Sequence, residues 1–233
     1  MRLAIVGYGR MGRLIEQLAP EYGFEVALKL DEFNNARFEG ITPENFRNVD
    51  VAVEFSVPAA VVENIERIAA LGVNLVVGTT GWFERRDQVR QTVARSGIGL
   101  VWSANYSIGV NVFFRIVSEA ARLLQKQPEY GAWGWEIHHA AKKDAPSGTM
   151  LRLIEAMRQA GYERPVDVSS SRAGAHPGTH EIGFDSAADT ITLRHTARSR
   201  EGFARGALQA ARWIIGKKGF YEFGEILFGN EGS

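Results

Sequence analysis

The fourteen residues 136–149 read EIHHAAKKDAPSGT and concentrate side chains that transfer protons and bind anions. His138 and Lys142 can each donate a proton to a substrate when a hydride arrives. His139 adds a second imidazole, but neighbouring side chains on a strand face opposite ways. The two histidines therefore share a site only if a predicted strand ends there, which the Asp-Ala-Pro turn after them favours.

An anion-binding turn closes the same segment. Ser147, Gly148 and Thr149 lie where a helix is predicted to begin, and their hydroxyl and backbone N–H groups are suited to hold a carboxylate. Such a turn beside cationic N–H groups suits the reduction of a cyclic imine or enamine that carries two carboxylates. The alternative is that Ser147 is only a helix N-cap, the lysines are solvated and one histidine belongs to the core. The clustering of these residues favours the catalytic interpretation.

A second motif, near the N-terminus, has the spacing G-x-G-x-x-G. Its members are Gly7, Tyr8, Gly9, Arg10, Met11 and Gly12. Gly7 would make a tight turn, Gly9 would let a pyrophosphate approach the backbone, and Gly12 would let a helix pack on its strand. The motif follows a predicted strand and opens a predicted helix, so a bound dinucleotide is favoured over the alternative of an unrelated glycine-rich turn.

Asp31 bears on which dinucleotide binds. It lies 19 residues after Gly12 at the end of the second predicted strand, where a carboxylate bonds the ribose hydroxyls of adenosine. That carboxylate would repel a 2′-phosphate and so favours NADH, although Lys29 and Arg37 could weaken the preference. A solvated acid at the strand end is the alternative, and the choice between NADH and NADPH stays open.

Strand and helix patterns alternate in the first half of the chain. The predicted strands are residues 3–6, 25–30, 51–55, 75–77 and 98–102, and the predicted helices begin after the glycine turn, at Pro58 and near Glu84. This alternation predicts a parallel sheet with helices on both faces, which is the doubly wound α/β Rossmann architecture.

The second half carries a different pattern. Helices are predicted at residues 110–127, 149–160 and 203–215, and strands at 133–139, 166–171, 181–184 and 190–196. A turn joins the last two strands. Three or four strands with helices between them predict a second, α+β domain built on a mixed sheet. The tail after residue 215 gives only weak signals.

Composition excludes several classes of function. The 233 residues include 27 basic and 27 acidic ones, so the formal net charge is zero, which argues against a nucleic-acid partner. There is no cysteine, and disulfides, thiolate zinc sites and iron–sulfur clusters are therefore excluded. Neither a signal-peptide pattern nor an apolar run of membrane-spanning length occurs, so we expect no membrane partner and a cytoplasmic location.

A metal site is not expected either. His176 and His180 have the i, i+4 spacing of helical ligands, but Pro177 and Gly178 between them argue against a helix. Adjacent histidines on a strand, as at positions 138 and 139, chelate one ion poorly. The sequence therefore predicts no bound metal.

From end to end, the sequence resembles the 4-hydroxy-tetrahydrodipicolinate reductase family, also called dihydrodipicolinate reductases. In chain order, the resemblance is carried by VGYGRMG at 6–12, VVGTTGW at 76–82, SANYSIGVN at 103–111, EIHHAAKKDAPSGT at 136–149, SRAGAHPGTHEIGF at 171–184 and the stretch 195–211. The segment at 136–149 is highly specific for that family, whereas the glycine fingerprint alone is not.

The resemblance implies an enzyme that uses NADH or NADPH to reduce (2S,4S)-4-hydroxy-2,3,4,5-tetrahydrodipicolinate to tetrahydrodipicolinate with loss of water. This reaction belongs to lysine and diaminopimelate biosynthesis. The family assembles as a homotetramer, and its folds return the C-terminal helix to the nucleotide domain. Residues 1–107 plus 205–233 are thus expected to bind the dinucleotide, and residues 108–204 to bind substrate and form the oligomer.

The same resemblance implies roles for individual residues. His138 and Lys142 are the expected catalytic residues. The expected substrate-binding residues are His139, Ser147, Gly148 and Thr149. The nicotinamide side of the cofactor site is expected to comprise Gly78, Thr79, Thr80, Ser103, Ala104, Asn105 and Tyr106.

Two features of the resemblance leave questions open. Tyr106 stands where phenylalanine is common in the family, and its added hydroxyl is expected to contact cofactor or water. The positions Arg172, Gly174, Gly178 and His180 match a family pattern that suits either a direct role or a structural hairpin.

Two rival functions remain at this point. Another two-domain NAD(P) dehydrogenase, such as an aspartate dehydrogenase, would share the fingerprint and the fold but would not need the histidine–lysine–serine segment. A catalytically inactive NAD(H)-sensing protein would have lost the catalytic positions, yet His138 and Lys142 are both present.

Overall fold

The computed structural model describes residues 1–229, and these residues contain ten strands and seven α-helices. The strands are β1 (Arg2–Val6), β2 (Glu25–Leu30), β3 (Val51–Glu54), β4 (Asn74–Val77), β5 (Gly99–Trp102), β6 (Gly131–His138), β7 (Val166–Arg172), β8 (Thr179–Asp185), β9 (Thr190–Thr196) and β10 (Gly219–Glu222). The helices are α1 (Arg10–Leu18), α2 (Val61–Ala70), α3 (Arg86–Ser96), α4 (Ile108–Leu124), α5 (Gly148–Gln159), α6 (Glu201–Ile214) and α7 (Phe223–Phe228).

Six parallel strands in the order β10-β5-β4-β3-β1-β2 form the sheet of the first unit. This unit comprises residues 1–107 and the chain from Glu201 onward. Helices α1 and α6 pack on one face of the sheet, and α2 and α3 pack on the other. The predicted doubly wound parallel sheet is therefore confirmed.

Burial on both faces explains why the four central strands, β1, β3, β4 and β5, are short apolar runs without alternation. In β3, Val51 and Val53 face the core beside α1 and α6, while Ala52 faces the core beside α2 and α3. None of the three is exposed to solvent. A polar side chain at any of these positions would lose its hydration without gaining a partner.

The tail of the first unit was not predicted. Strand β10, with the sequence GFYE, adds to the sheet edge by pairing in parallel with β5, and α7 follows it. Four half-buried residues at a sheet edge carry no hydrophobic period, so only the pairing with β5 defines this strand. The chain re-enters the first unit at Glu201, whereas the resemblance implied Arg205.

The second unit, residues 108–200, contains a four-stranded sheet in the order β7-β6-β8-β9. Strand β6 pairs in parallel with β7 and antiparallel with β8, and β8 pairs antiparallel with β9. Helices α4 and α5 bury their apolar residues against one face of this sheet. The predicted mixed sheet is thus confirmed.

On the face of β6 that packs against the helices, the side chains change from apolar to polar along the strand. Ala132 and Gly134 lie in the apolar core, and a Cβ on Gly134 would come within 3.1 Å of the Met150 sulfur. Two residues further, Glu136 is buried, and His138 is buried at the end of the strand. Because side chains on one face recur every second residue, the apolar core and a buried polar cluster lie next to each other on this face of the strand.

A close backbone approach holds α6 against the turn after β5. A Cβ on Gly206 would lie 1.8 Å from the carbonyl oxygen of Tyr106, well inside any contact distance. Gly202, one turn earlier on the same helix, has room for a Cβ, which would lie at an ordinary contact distance of 3.5 Å from the Ser107 hydroxyl. Only the second glycine position is required by packing.

We expect the variant Gly206→Ala to lower the free energy of unfolding by at least about 3 kcal/mol, because the backbone of α6 or of residue 106 must move. The matched variant Gly202→Ala should be neutral or stabilise by less than about 1 kcal/mol. Denaturant unfolding followed by circular dichroism would measure both values. Equal stability of the two variants would contradict this packing argument.

Candidate active site

The predicted cofactor-binding residues all lie at the carboxyl edge of the first sheet, after the strands that precede them. The fingerprint follows β1, Asp31 follows β2, residues 78–80 follow β4, and residues 103–106 follow β5. Ligands of open parallel sheets bind at this edge. Sheet topology therefore brings these separate sequence motifs to one side of the first unit.

The fingerprint glycines have distinct geometries. Gly7 has a φ of +97°, and a Cβ there would overlap the Phe55 carbonyl at 2.2 Å. A Cβ on Gly12 would lie 2.5 Å from the Gly7 carbonyl oxygen, so this glycine lets α1 pack on its strand. Around Gly9 nothing lies within 4 Å of the missing Cβ. The space beside Gly9 is thus available to a phosphate at the start of α1.

A cavity of about 500 Å³ opens beside this turn in the first unit. Of the predicted residues, it is lined by Gly7, Tyr8, Gly9 and Asp31. Arg13 and Ser56 also line it, and the sequence analysis did not identify either one. No motif marks these two positions, because they reach the cavity only through the turn of α1 and the end of β3.

Asp31 is held at the cavity by its own loop. Its carboxylate accepts the backbone N–H of Phe33 at 2.9 Å, and its backbone N–H donates to the Asn34 side chain at 2.8 Å. Lys29, one of the two cations that could have softened its charge, is instead paired with Glu16 at 2.9 Å. The hydroxyl of Tyr8 donates to the same Glu16 carboxylate.

The predicted nicotinamide-side residues lie outside that cavity, at the tips of β4 and β5. A Cβ on Gly78 would overlap the Phe55 ring at 2.1 Å, so only glycine leaves room for that ring. The Trp82 indole donates to the Thr79 carbonyl at 2.8 Å and fixes this loop. After β5, the Ser103 hydroxyl donates to the Asn105 carbonyl at 2.8 Å and forms a second tight turn.

The expected contact of the Tyr106 hydroxyl with cofactor or water is wrong. The residue is 2% exposed, and its hydroxyl lies 3.0 Å from the carbonyl oxygens of both Val77 and Val101. These two carbonyls belong to the neighbouring strands β4 and β5. The hydroxyl therefore ties two strand ends together beneath the loop, and burial of this kind is not visible in the sequence.

In the second unit, the buried carboxylate of Glu136 is the centre of a polar cluster. Its Oε1 atom accepts from the backbone N–H of Ser147 at 2.9 Å, the hydroxyl of Ser170 at 2.9 Å and the guanidinium of Arg172 at 2.8 Å. Its Oε2 atom accepts the Ser147 hydroxyl. Burial alone would raise the pKa of Glu136, but the bonds from Ser147 and Arg172 outweigh it and lower that pKa.

Ser147 is the N-cap of α5, as one interpretation of the sequence expected. Its hydroxyl oxygen accepts the backbone N–H of Met150 at 3.2 Å and lies 3.1 Å from the Nε2 atom of His180. Burial lowers the pKa of His180 to about 4, so this ring is neutral at pH 7. His180 therefore belongs to the cluster rather than only to a hairpin.

Strand β6 ends at His138, one residue before the predicted end at His139, so the second histidine lies in the loop that follows. His138 is 7% exposed, whereas His139 is half-buried in the loop that follows. Burial lowers the pKa of His138, and Lys142 and Arg172 lower it further against the opposing charge of Glu136. The imidazole of His138 is therefore neutral at pH 7.

Lys142 lies in the same loop, and its ammonium donates to both carboxylate oxygens of Asp144, at 2.8 and 2.9 Å. The hydrogen bond from Lys142, joined by the backbone N–H of Gly148, lowers the pKa of Asp144. Arg172 donates to the backbone carbonyl of Asp144 as well as to Glu136. A carboxylate of the protein thus lies between Lys142 and the start of α5.

The sequence analysis passed over Glu136, and it did not consider a metal site shared by His138 and His180. Glu136, His138 and His180 place ligand atoms within 4.8 Å of one another. However, the carboxylate already accepts four hydrogen bonds, one of them from the cationic Arg172. We therefore assign these residues to a hydrogen-bond network. The i, i+2 spacing of Glu136 and His138 on a strand could have indicated their common face.

A doubly wound sheet with a phosphate-type glycine turn, together with a second unit that carries proton donors beside a helix N-terminus, defines an NAD(P)H-dependent oxidoreductase. Comparisons with known proteins narrow this class. Residues 1–106 match the family described as dihydrodipicolinate reductase, N-terminus, and residues 109–227 match dihydrodipicolinate reductase, C-terminus. The chain belongs to the dihydrodipicolinate reductase family.

Individual relatives agree with this assignment. A 4-hydroxy-tetrahydrodipicolinate reductase from Christiangramia forsetii is 33% identical over 238 residues, which cover 97% of this chain and 98% of the relative. Among solved structures, a dipicolinate-bound dihydrodipicolinate reductase from Paenisporosarcina sp. TG-14 has a TM-score of 0.80 at 21% identity, over 97% of this chain and 99% of that one.

The rival dehydrogenases share the fold. Aspartate dehydrogenase from Thermotoga maritima has a TM-score of 0.52 at 17% identity, over 93% of this chain and 97% of that one. A likeness at this level concerns architecture, not function. The helices within residues 1–229 include none with the length and apolar character needed to cross a membrane.

We expect Lys142→Ala to lower kcat/KM by about 100-fold or more, because it removes the predicted proton donor and a cation near the start of α5. The fold should persist, since a partly exposed ion pair such as Lys142–Asp144 contributes under about 1 kcal/mol. Steady-state kinetics would measure the change, with the exposed neighbour variant Lys143→Ala as the matched control. Equal kinetics for the two variants would remove Lys142 from the mechanism.

Proposed function

We propose that the residues assembled at the start of α5 bind and protonate the substrate of a dicarboxylate reductase. As a member of its family, the chain reduces (2S,4S)-4-hydroxy-2,3,4,5-tetrahydrodipicolinate to tetrahydrodipicolinate in lysine and diaminopimelate biosynthesis. The reaction consumes NAD(P)H and one proton and releases NAD(P)⁺ and water. The observation that carries the assignment of residues is the folding of the segment 136–149 into a strand end, a cationic loop and a helix N-terminus.

The substrate carries two carboxylates, and the second unit offers several groups for them. Gly148 and Thr149 are the first residues of α5, so their backbone N–H groups have no carbonyl partner within the helix. Lys142 and His139 lie in the loop that leads to this turn. The dipicolinate held by the related solved structure is also a cyclic dicarboxylate, which supports a ligand of this class.

Lys142 is the proton donor in this proposal. A neutral imidazole has no acidic proton to offer at pH 7, and burial keeps the pKa of His138 below its ordinary value. An ammonium group has one, and Lys142 is partly exposed in a loop at the helix N-terminus. His138 is then suited to orient the substrate or to relay a proton back to Lys142.

The first unit fits a dinucleotide, because the space at Gly9 is open and the first turn of α1 carries no acidic side chain. When bound there, the nicotinamide supplies the hydride. We propose that NADH is favoured over NADPH, since Asp31 and Glu32 line the cavity while Lys29 is paired with Glu16. Arg13 is the cation that lines the same cavity and keeps some NADPH binding possible.

Turnover and cofactor choice can be measured together. We expect NADH oxidation when substrate is generated in situ by a dihydrodipicolinate synthase, with a lower KM for NADH than for NADPH. Asp31→Ala should raise the KM for NADH about tenfold and lower that for NADPH, because a ribose contact and a repulsion disappear together. Glu25→Gln, an exposed acid at the other end of β2, is the control.

Two outcomes of that assay would contradict the proposals. Equal changes for both cofactors in the Asp31 variant would show that its carboxylate does not face the ribose. Tight NADH binding without any turnover would favour a nucleotide sensor.

We also propose that the chain assembles as a homotetramer, as its family resemblance implies. Large apolar side chains of the second unit remain between 41% and 55% exposed; they are Ile116, Leu123, Leu151 and Ile191. Exposed apolar surface of this kind favours a protein interface. Light scattering should give four times the chain mass of 25.7 kDa, and a value of one chain mass would contradict the assembly.

A further inference from the structure

We propose that Glu136 is a positioning residue of this reductase: it takes both hydrogen-bond donors of Ser147 and thereby fixes the start of α5, where the substrate carboxylate binds. This inference rests on the proposed function for its substrate, but its hydrogen-bond arrangement can be tested separately. Glu136 itself is fully buried and cannot touch a ligand from solvent.

The argument begins with the donors of Ser147. Its backbone N–H donates to the Oε1 atom of Glu136 at 2.9 Å, and its hydroxyl donates to the Oε2 atom. An ionised carboxylate accepts hydrogen bonds but donates none, so the single hydroxyl proton must point at Glu136. The oxygen of the hydroxyl then accepts the backbone N–H of Met150 as a helix cap.

This arrangement determines the state of His180. Its Nε2 atom lies 3.1 Å from the Ser147 oxygen, which has no second proton to offer. The hydrogen bond forms only if His180 is the donor, and the neutral ring must then carry its proton on Nε2. The cluster therefore runs from His180 through Ser147 to Glu136, with every donor assigned.

Ser147 consequently has no donor left for a substrate. The other N–H groups at the anion-binding turn are those of Gly148, which contacts the Asp144 carboxylate, and of Thr149. Their direction is set by Ser147, and the direction of Ser147 is set by Glu136. A residue without access to solvent thus controls the geometry of a carboxylate site.

The same carboxylate also restrains the loop with the proton donor. Arg172 donates to Glu136 at 2.8 Å and to the backbone carbonyl of Asp144. Asp144 in turn holds the ammonium of Lys142 at 2.8 Å. Loss of the Glu136 charge would release Arg172 and loosen both sides of the turn at once.

The test measures the dissociation constants of dipicolinate and of NADH for the wild type, Glu136→Gln, Ser147→Ala and the double variant. The amide that replaces the carboxylate in Glu136→Gln would present N–H groups to donors that now meet oxygens. We therefore expect dipicolinate affinity to fall by at least about tenfold in this variant. NADH affinity should stay within about twofold. Glu155→Gln, an exposed acid on α5, is the control and should match the wild type for both ligands.

The double variant separates positioning from direct binding. If Ser147 acts through Glu136, Ser147→Ala should weaken dipicolinate binding less in the Glu136→Gln background than in the wild type. Equal factors in the two backgrounds would show that Ser147 binds the ligand on its own and would overturn the proposal. Unchanged dipicolinate affinity in a folded Glu136→Gln variant would overturn it as well.

Two further measurements test the proposal even if the Glu136→Gln variant does not fold. Glu136→Asp keeps the charge but withdraws it from Ser147, so it should also weaken dipicolinate about tenfold or more, and wild-type affinity would overturn the proposal. Nitrogen-15 NMR of the unaltered protein should show His180 protonated at Nε2. A proton on Nδ1 instead would refute the hydrogen-bond arrangement.

Failure of the underlying function would look different. A wild-type protein that neither turns over substrate nor binds dipicolinate would contradict the proposed substrate. The tautomer of His180 would still decide whether Glu136 orients Ser147. Turnover and dipicolinate binding by the wild type therefore test the proposed substrate, and the tautomer of His180 tests the role of Glu136.

Discussion

A carboxylate without access to water persists only where its charge and its lone pairs are satisfied, and Glu136 imposes that requirement on the second unit. Its partners come from two other elements of the chain: the end of β7 supplies Ser170 and Arg172, and the start of α5 supplies both donors of Ser147. These elements must come together for the charge to be tolerated. Glu136 thus ties the end of β7 to the start of α5.

The two units present different chemistry to negatively charged groups. In the first, a helix N-terminus and a glycine without a neighbour at its Cβ position leave backbone N–H groups open to a phosphate. Parallel strands make this possible, because the connection after β1 leads at the carboxyl edge into the turn before α1. In the second, discrete charges on Lys142 and Arg172 accompany the helix terminus.

Much of this arrangement could be predicted, because apolar runs and glycine turns act locally. Strands β2 and β9 have their predicted ends, and β6 ends at His138, one residue before its predicted end. What was missed depends on distant partners. Strand β10 exists only beside β5, and the Tyr106 hydroxyl is buried by two strand ends. Glu136 became significant only through Ser170 and Arg172, which lie 34 and 36 residues away along the chain.

The first unit is assembled from two separate stretches of chain, and this has a consequence during synthesis. Helix α6 belongs to the second stretch, and it covers the sheet face that carries Leu3, Ile5 and Val101. A nascent chain that has reached only residue 200 already contains every residue of the second unit, but that face of the first sheet has only α1 to cover it. On the ribosome, the second unit can therefore complete its fold while the first unit must wait until α6 has been synthesised.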